Sequence, residues 1–428
     1  MNKDFILDSF TIFGINNLKL SDLDSYKSLY VINPVEYNKN AFDFVPKGMY
    51  LLENTENEIE KIRADPLILD FEINYEIFSE KAMSYKSYNL ENIENEEFID
   101  DDDVDSNFGE DYNDTYDSTT SENFCWHHET MRIKEAWNIT KKGKKEKGEG
   151  IIIAHPDSGY ITHLELLPKD ERLLKLYQKD LVNSNNSNFE YSKASHGLAT
   201  ASVILGSEKG KIKGIAPKAL LLSMRIAKVK IGGATPLLFP GGFRRLRQAV
   251  EHAIKSKADI ISISLGGIEG NSKATNHILN KAREEGIIVL AAAGNHVIKV
   301  TYPATHPKVI AVAASTYLNK PWEYSSRGKK VEITAPGHNI WKADNKENIR
   351  RSSGTSYAVA NVAGIAALWL GYWGKDTLIR SFGKENLVDG FIKMMRDATL
   401  ENDELLGGFG KGIIDAEKLL SLDIKDYT

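Results

Sequence analysis

Arg351-Ser352-Ser353-Gly354-Thr355-Ser356-Tyr357-Ala358-Val359-Ala360-Asn361-Val362-Ala363-Gly364, continued by Ile365-Ala366-Ala367-Leu368-Trp369, is the stretch whose reading decides the fold. From Gly354 on it is apolar, rich in small residues and of helical length, which predicts a buried helix with Ser356 at its mouth. A hydroxyl placed there sits beside unpaired backbone N–H groups and the positive end of the helix dipole. Both steady negative charge that builds up when a carbonyl is attacked. Taken alone, Ser356 would be an ordinary N-cap serine. Its companions elsewhere in the chain give it another meaning.

Upstream, short apolar runs alternate with helical patterns. Strands are expected at Gly150-Ile151-Ile152-Ile153-Ala154, Ala219-Leu220-Leu221-Leu222-Ser223-Met224, Asp259-Ile260-Ile261-Ser262-Ile263-Ser264 and Gly286-Ile287-Ile288-Val289-Leu290. Helices are expected at His196 to Leu205, Phe243 to Lys255 and Asn276 to Glu285. This alternation predicts an α/β fold, a doubly wound parallel sheet with helices on both faces. Active groups then belong at the carboxyl ends of the strands.

Three further stations fall at such ends. Ala154-His155-Pro156-Asp157-Ser158-Gly159 closes a buried strand on a carboxylate, placed to hold a histidine in one tautomer. Ala194-Ser195-His196-Gly197-Leu198-Ala199-Thr200 opens a helix of small residues on a histidine. Leu290-Ala291-Ala292-Ala293-Gly294-Asn295-His296 ends a strand on an amide able to donate to an oxyanion.

With these residues in hand the chain, from about Trp126 to its end, resembles a subtilisin-like serine protease, a subtilase. The order Asp157, His196, Ser356 is the Asp-His-Ser order of that family. Ser264-Leu265-Gly266-Gly267 resembles its substrate-binding strand edge. Tyr324-Ser325-Ser326-Arg327-Gly328, Thr334-Ala335-Pro336-Gly337 and Gly408-Phe409-Gly410-Lys411-Gly412-Ile413-Ile414-Asp415-Ala416 resemble its later segments. The resemblance implies a serine endopeptidase with Asp157, His196 and Ser356 catalytic and Asn295 in the oxyanion site. Ser264, Leu265 and Gly266 would bind a protein or peptide substrate as an added strand. Departures stand at Leu198, where the family often has Thr, at Tyr357, where it usually has Met, and at Ala360-Asn361, where it usually has Pro-His. They touch none of the four chemical groups. A second expectation, of a different class, is an idle binding module that keeps the fold and a permanently docked N-terminal domain.

No cofactor is expected. In the loop Gly206-Ser207-Glu208-Lys209-Gly210-Lys211, where some relatives hold calcium, the lysines and a lone glutamate make a poor oxygen cage. Cys125-Trp126-His127-His128 has one thiol and no second ligand pair at zinc spacing, so a packed tryptophan with solvated histidines is expected.

The 428 residues carry a formal net charge of −6 and 42% hydrophobic content, ordinary for a globular chain with a sizeable core. Neither nucleic acid nor membrane is expected as a partner. The acids in Met1-Asn2-Lys3-Asp4-Phe5-Ile6-Leu7-Asp8 do not fit a signal peptide, and Cys125 stands alone, so the cytoplasm is the default, with leaderless export open.

Charge is divided sharply along the chain. Residues 91–122 hold 14 acids and no Lys or Arg, and residues 1–90 hold 15 acids against 9 bases. Residues 123–428 carry 45 bases against 31 acids, a balance of +14. Three parts are therefore expected: an α+β unit at 1–80, an acidic flexible linker at 81–122 and the catalytic region at 123–428. In the first, strands are expected at Ser9 to Phe13, Leu29 to Ile32, Met49 to Leu52 and Leu67 to Ile73. A short helix is expected at Asn57 to Arg63, ahead of Pro66. This unit resembles a subtilase propeptide, which implies an intramolecular inhibitor within a self-processing zymogen.

Overall fold

The computed structural model describes residues 123–428 apart from 162, 164, 166–171, 175–176, 183–194, 228–241, 268–272, 296–298, 345–347, 401–404 and 406. It also describes the backbone of residues 5–14, 31–34, 49–53 and 68–78. The chain divides into two compact units. One is Met1–Glu97 with Phe239–Phe243 and Gly270–His277; the other is the remainder.

The first unit carries β1 (Phe5–Gly14), β2 (Val31–Pro34), β3 (Met49–Glu53) and β4 (Ile68–Phe78) in one antiparallel sheet of order β2-β3-β1-β4. Its first strand lies inside, paired with β3 from Ser9↔Glu53 to Phe13↔Met49 and with β4 from Phe5↔Phe78 to Gly14↔Ile68. The helix expected at Asn57 to Arg63 and the acidic run 91–122 lie outside the described residues.

In the second unit β5 (Ile152–Asp157), β6 (Lys179–Asp180), β7 (Leu220–Arg225), β8 (Ile260–Ile263), β9 (Ile288–Ala292), β10 (Ile310–Ser315), β11 (Val331–Pro336), β14 (Thr399–Leu400) and β15 (Ile413–Ile414) form a nine-stranded sheet. Its order is β14-β15-β11-β10-β9-β8-β5-β7-β6. Every pairing is parallel except β14 with β15. β12 (Ile340–Ala343) and β13 (Ile349–Ser352) make a separate antiparallel pair. The helices are α1 (Trp126–Thr130), α2 (Ile133–Thr140), α3 (Ser195–Leu205), α4 (Gly242–Lys255), α5 (Lys273–Glu284), α6 (Thr355–Trp373), α7 (Lys375–Phe382), α8 (Leu387–Asp397) and α9 (Ala416–Ser421).

The sheet order fixes where chemistry can sit. From β5 the chain goes outward to the edge strand β6, comes back through α3 to β7, then passes across β5 to β8 through α4 and continues through α5 to β9. Helix α3 lies on the face that carries α6, against which it packs. The direction of winding reverses between β5 and β8, and it is outside the carboxyl ends at such a reversal that open α/β sheets bind ligands. Central strands β8, β9 and β10 are buried at every position, which is why they read as unbroken apolar runs rather than alternating ones.

Helix α6 packs against β8, β9, β10 and β11 and against α3. It is buried from Thr355 through Gly371, so a sequence apolar on all sides finds apolar neighbours all round. Arg132, just before α2, donates from Nε to Asp415 Oδ2 at 2.8 Å, and Ala416 N–H donates to the Met131 carbonyl at 2.9 Å. These bonds join the start of this unit to α9.

One sequence expectation fails here. His127 and His128 are not solvated; both are buried, with ring centroids 4.7 Å apart, and His128 meets the Trp137 ring edge-on at 5.6 Å. Helix α1 has only five residues and docks Trp126, whose Nε1 donates to the Asn339 carbonyl at 3.2 Å, so it keeps no broad solvent face for its other side chains. Burial holds the His128 imidazole down to about 3 and lowers His127 as well.

Candidate active site

Asp157 is the last residue of β5 and is wholly buried. An uncompensated carboxylate there would be costly, so its donors matter. Oδ1 accepts from the Ser158 N–H at 2.6 Å and lies 2.8 Å from His196 Nδ1. Burial pushes the Asp157 carboxyl up. The charge of His196 and its hydrogen bond, with His155 and the Ser158 N–H, outweigh that and hold it below the ordinary carboxylate range.

His196 is the second residue of α3. Its reach to Asp157 depends on Gly197, because a Cβ there would fall 2.1 Å from the Gly159 carbonyl oxygen. The start of α3 therefore lies directly on the turn after β5. The Gly197 N–H donates to Ser158 Oγ at 2.9 Å and fixes that approach.

On its other side His196 Nε2 lies 3.2 Å from Ser356 Oγ. Ser356 is buried in the first turn of α6, near the N–H groups that the helix leaves unpaired. Its hydroxyl donates to the Ser264 carbonyl at 3.0 Å, and Ser264 Oγ donates back to the Ser356 carbonyl at 3.4 Å. Ser264 follows β8 directly, so the nucleophile's helix is tied to the strand next to β5.

Asn295 stands just beyond β9. Its Oδ1 accepts from the Thr355 N–H at 2.9 Å and from Thr355 Oγ at 2.7 Å. A backbone N–H only donates, so the amide atom facing Thr355 must be oxygen and Nδ2 points the other way. That nitrogen passes close to Gly354, where an added Cβ would lie 3.3 Å from it, a tight contact.

Asp157, His196, Ser356 and Asn295 thus come from four segments into one hydrogen-bonded constellation. Of the expected substrate-strand residues, Ser264 touches Ser356. Leu265 is buried, and Gly266 backs onto Thr301, whose Oγ would be 2.5 Å from a Cβ at that position. Gly267 is paired with Tyr302 by two 2.9 Å backbone bonds. Sequence reasoning passed over Thr355, the clamp on Asn295, as well as His155 and Thr200 beneath Asp157. Spacing was the available signal: positions 155 and 157 share one face of a strand, and positions 196 and 200 one face of a helix.

The arrangement can polarise a hydroxyl, take its proton on a buffered imidazole and offer an amide to the resulting oxyanion. Comparison with known proteins bears on it directly. Residues 148–391 match the profile of the Subtilase family. The chain is 31% identical over 253 residues to the minor extracellular protease Epr of Bacillus subtilis, covering 58% of this chain and 36% of that one. It is 29% identical over 251 residues to the major intracellular serine protease of the same bacterium, covering 57% and 75%. With subtilisin E it shares 35% over 184 residues, covering 41% and 46%. The chain thus spans from about a third to three quarters of the length of these curated relatives. Among solved structures, MycP1 from Mycobacterium smegmatis superposes with a TM-score of 0.55 at 22% identity, covering 70% of this chain and 84% of that one, a likeness of fold.

Proposed function

The chain belongs to the subtilase family, and from that premise we propose that it is a serine endopeptidase acting through Asp157, His196 and Ser356. The observation that carries this reading is the continuous line from Asp157 Oδ1 to His196 Nδ1 at 2.8 Å and from His196 Nε2 to Ser356 Oγ at 3.2 Å. Ser356 attacks the scissile carbonyl as His196 takes its proton. Asp157 keeps the imidazole in the right tautomer and stabilises the imidazolium. Asn295 Nδ2 and the Ser356 N–H hold the oxyanion. His196 then protonates the leaving amine, and water repeats the sequence on the acyl-enzyme.

Side chains carry every proton transfer, so the reading calls for no cofactor. Glu208, the one acid of the 206–211 loop, is paired with Lys147, which supports a site without calcium there. The substrate is a protein or peptide lying extended beside Ser264, Leu265 and Gly266.

Among the described residues no helix is long and apolar enough to cross a membrane. The single cysteine, Cys125, favours a reducing, cytoplasmic setting. The N-terminal region acts as intramolecular inhibitor of a self-processing zymogen, a reading supported by 14 acids in residues 91–122 against the +14 balance of residues 123–428.

A fluorophosphonate probe tests the nucleophile: it labels the full chain and fails to label Ser356→Ala. Absence of labelling in the parent chain would end the enzyme reading. Intact mass against time tests the zymogen: the parent sheds an N-terminal fragment ending between about residues 80 and 125, while Ser356→Ala stays whole. If both stay whole while the parent still cuts casein, the inhibitor reading is wrong.

A further inference from the structure

We propose that His155 and Thr200 are positioning residues which load the second carboxylate oxygen of Asp157 and so set the basicity of His196. The proposal rests on the peptidase reading and adds a second layer behind it.

Oδ1 of Asp157 has two close donors, the Ser158 N–H and His196 Nδ1. Oδ2 faces a different pair, Thr200 Oγ at 3.5 Å and His155 Nε2 at 3.7 Å. Those two contact each other at 3.0 Å. All three side chains are buried. The geometry follows from the two periodicities. His155 and Asp157 lie two apart on β5 and share its face toward α3, while His196 and Thr200 lie one turn apart on α3. One strand residue and two helix residues thus enclose the Asp157 carboxylate.

Proton positions can be assigned from the acceptors. Thr200 lies 3.1 Å from the His196 carbonyl one turn back, the usual acceptor for a helical threonine hydroxyl. With its proton directed there, Oγ offers lone pairs to His155 Nε2, which must carry the ring proton. His155 Nδ1 has no partner and is left as a bare lone pair. The Nε2–H dipole of a neutral imidazole therefore lies between Thr200 Oγ and Asp157 Oδ2, its positive end toward the carboxylate. The charges that bear on His155 are Asp157 and His196 alone. On the adjoining strand Ser223 lies opposite His155, and Arg225, opposite Asp157, is paired with Asp180 at 2.9 Å.

Removing the His155 ring takes its N–H dipole from Oδ2, and removing the Thr200 hydroxyl releases the hold on that ring, so either change leaves Oδ2 less well compensated in a buried site. Carboxylate charge then leans on Oδ1 and its imidazolium, and His196 becomes harder to deprotonate. Thr200→Val keeps the shape and removes the hydroxyl; Thr200→Ser keeps the hydroxyl. His155→Leu removes the N–H donor, and His155→Gln keeps one at a similar reach. In the full chain, Thr200→Val and His155→Leu should lower kcat about three- to tenfold with KM unchanged, the size of one ordinary net hydrogen-bond contribution. They should also move the acid limb of kcat/KM up by about half a pH unit. Thr200→Ser and His155→Gln should restore both. The downfield proton of His196 Nδ1–H, titrated by NMR, should report the same upward shift.

A loss of rate with an unmoved acid limb and an unmoved NMR midpoint would overturn the proposal, because loosened packing alone produces that. If Thr200→Val does not fold, the His155 pair is read in the same way. The NMR midpoint needs no turnover. A parent chain that takes no fluorophosphonate would overturn the peptidase reading, and the midpoint would still decide whether His155 and Thr200 tune His196.

Discussion

His196 Nε2 and Ser356 Oγ lie 3.2 Å apart, and the same hydroxyl lies nearer, 3.0 Å, to the Ser264 carbonyl. The resting serine proton therefore has two acceptors, one a base and one a spectator. Attack requires the first to win, which makes Ser356 and His196 a single unit. Ser356→Ala and His196→Ala should each lower kcat by about six orders of magnitude, and the double variant should be no worse than either, as for groups that act together. Single-turnover rates on a peptide anilide check this. Additive losses would mean that the two residues do not share one proton.

Asn295 has two roles that one substitution cannot separate. Its oxygen holds the Thr355 N–H and hydroxyl at the head of α6, and its nitrogen is the proposed oxyanion donor. Asn295→Ala removes both and should lower kcat about 10²–10³-fold, the loss known for an oxyanion amide in subtilisin itself, with about 1 kcal/mol of stability for the lost cap contact. Asn295→Asp keeps the acceptor and puts an anion where an oxyanion forms. Its thermal midpoint should stay nearer the parent than that of the alanine variant while its kcat falls at least as far. Equal activity in Asn295→Asp and the parent would remove Asn295 from the chemistry.

Gly197→Ala is expected to do more harm than its one methyl suggests. The added carbon would lie 2.1 Å from the Gly159 carbonyl, a contact with backbone on both sides. Overpacking of this kind costs about 1–3 kcal/mol, and relief comes only by sliding α3 away from β5, which lengthens the Asp157–His196 bond. Urea midpoint and kcat should fall together. A variant with parental activity would show that the approach of α3 to the turn is adjustable.

How far the sequence could be read depends on range. Strands β5, β7, β8 and β9 were legible because burial on both faces leaves a long apolar run, and Asp157, His196, Asn295 and Ser356 because each closes or opens an element with a residue out of keeping with it. What escaped depends on contacts between distant segments. Thr355 gains its role only by meeting Asn295, 60 residues away, and Thr200 by meeting His155, 45 residues away. The two histidines of α1 were misplaced for the same reason, since a polar type in a five-residue helix reveals nothing of what packs over it.

Those two histidines make acid stability measurable. Burial lowers both His127 and His128, the latter to about 3. A histidine with its folded value depressed takes its proton only on unfolding. Its effect is absent above about pH 7, and stability falls as pH drops below about 6.5, by about 1.4 kcal/mol per pH unit for each such group. In a Ser356→Ala background, urea midpoints between pH 6.5 and 4 should decline less steeply when His128→Phe is added. An unchanged slope would show that His128 is protonated in the folded chain.

Helix α6 holds Ser356, the proposed nucleophile, in its first turn and packs into the hydrophobic core along the rest. A half-made or misassembled chain of this kind has no working serine, because the same docking that excludes water from Val359, Ala363 and Leu368 brings residue 356 to residue 196. Competence at residue 356 would thereby report that the core helix has docked correctly. The proposed peptidase activity would then wait on a complete architecture.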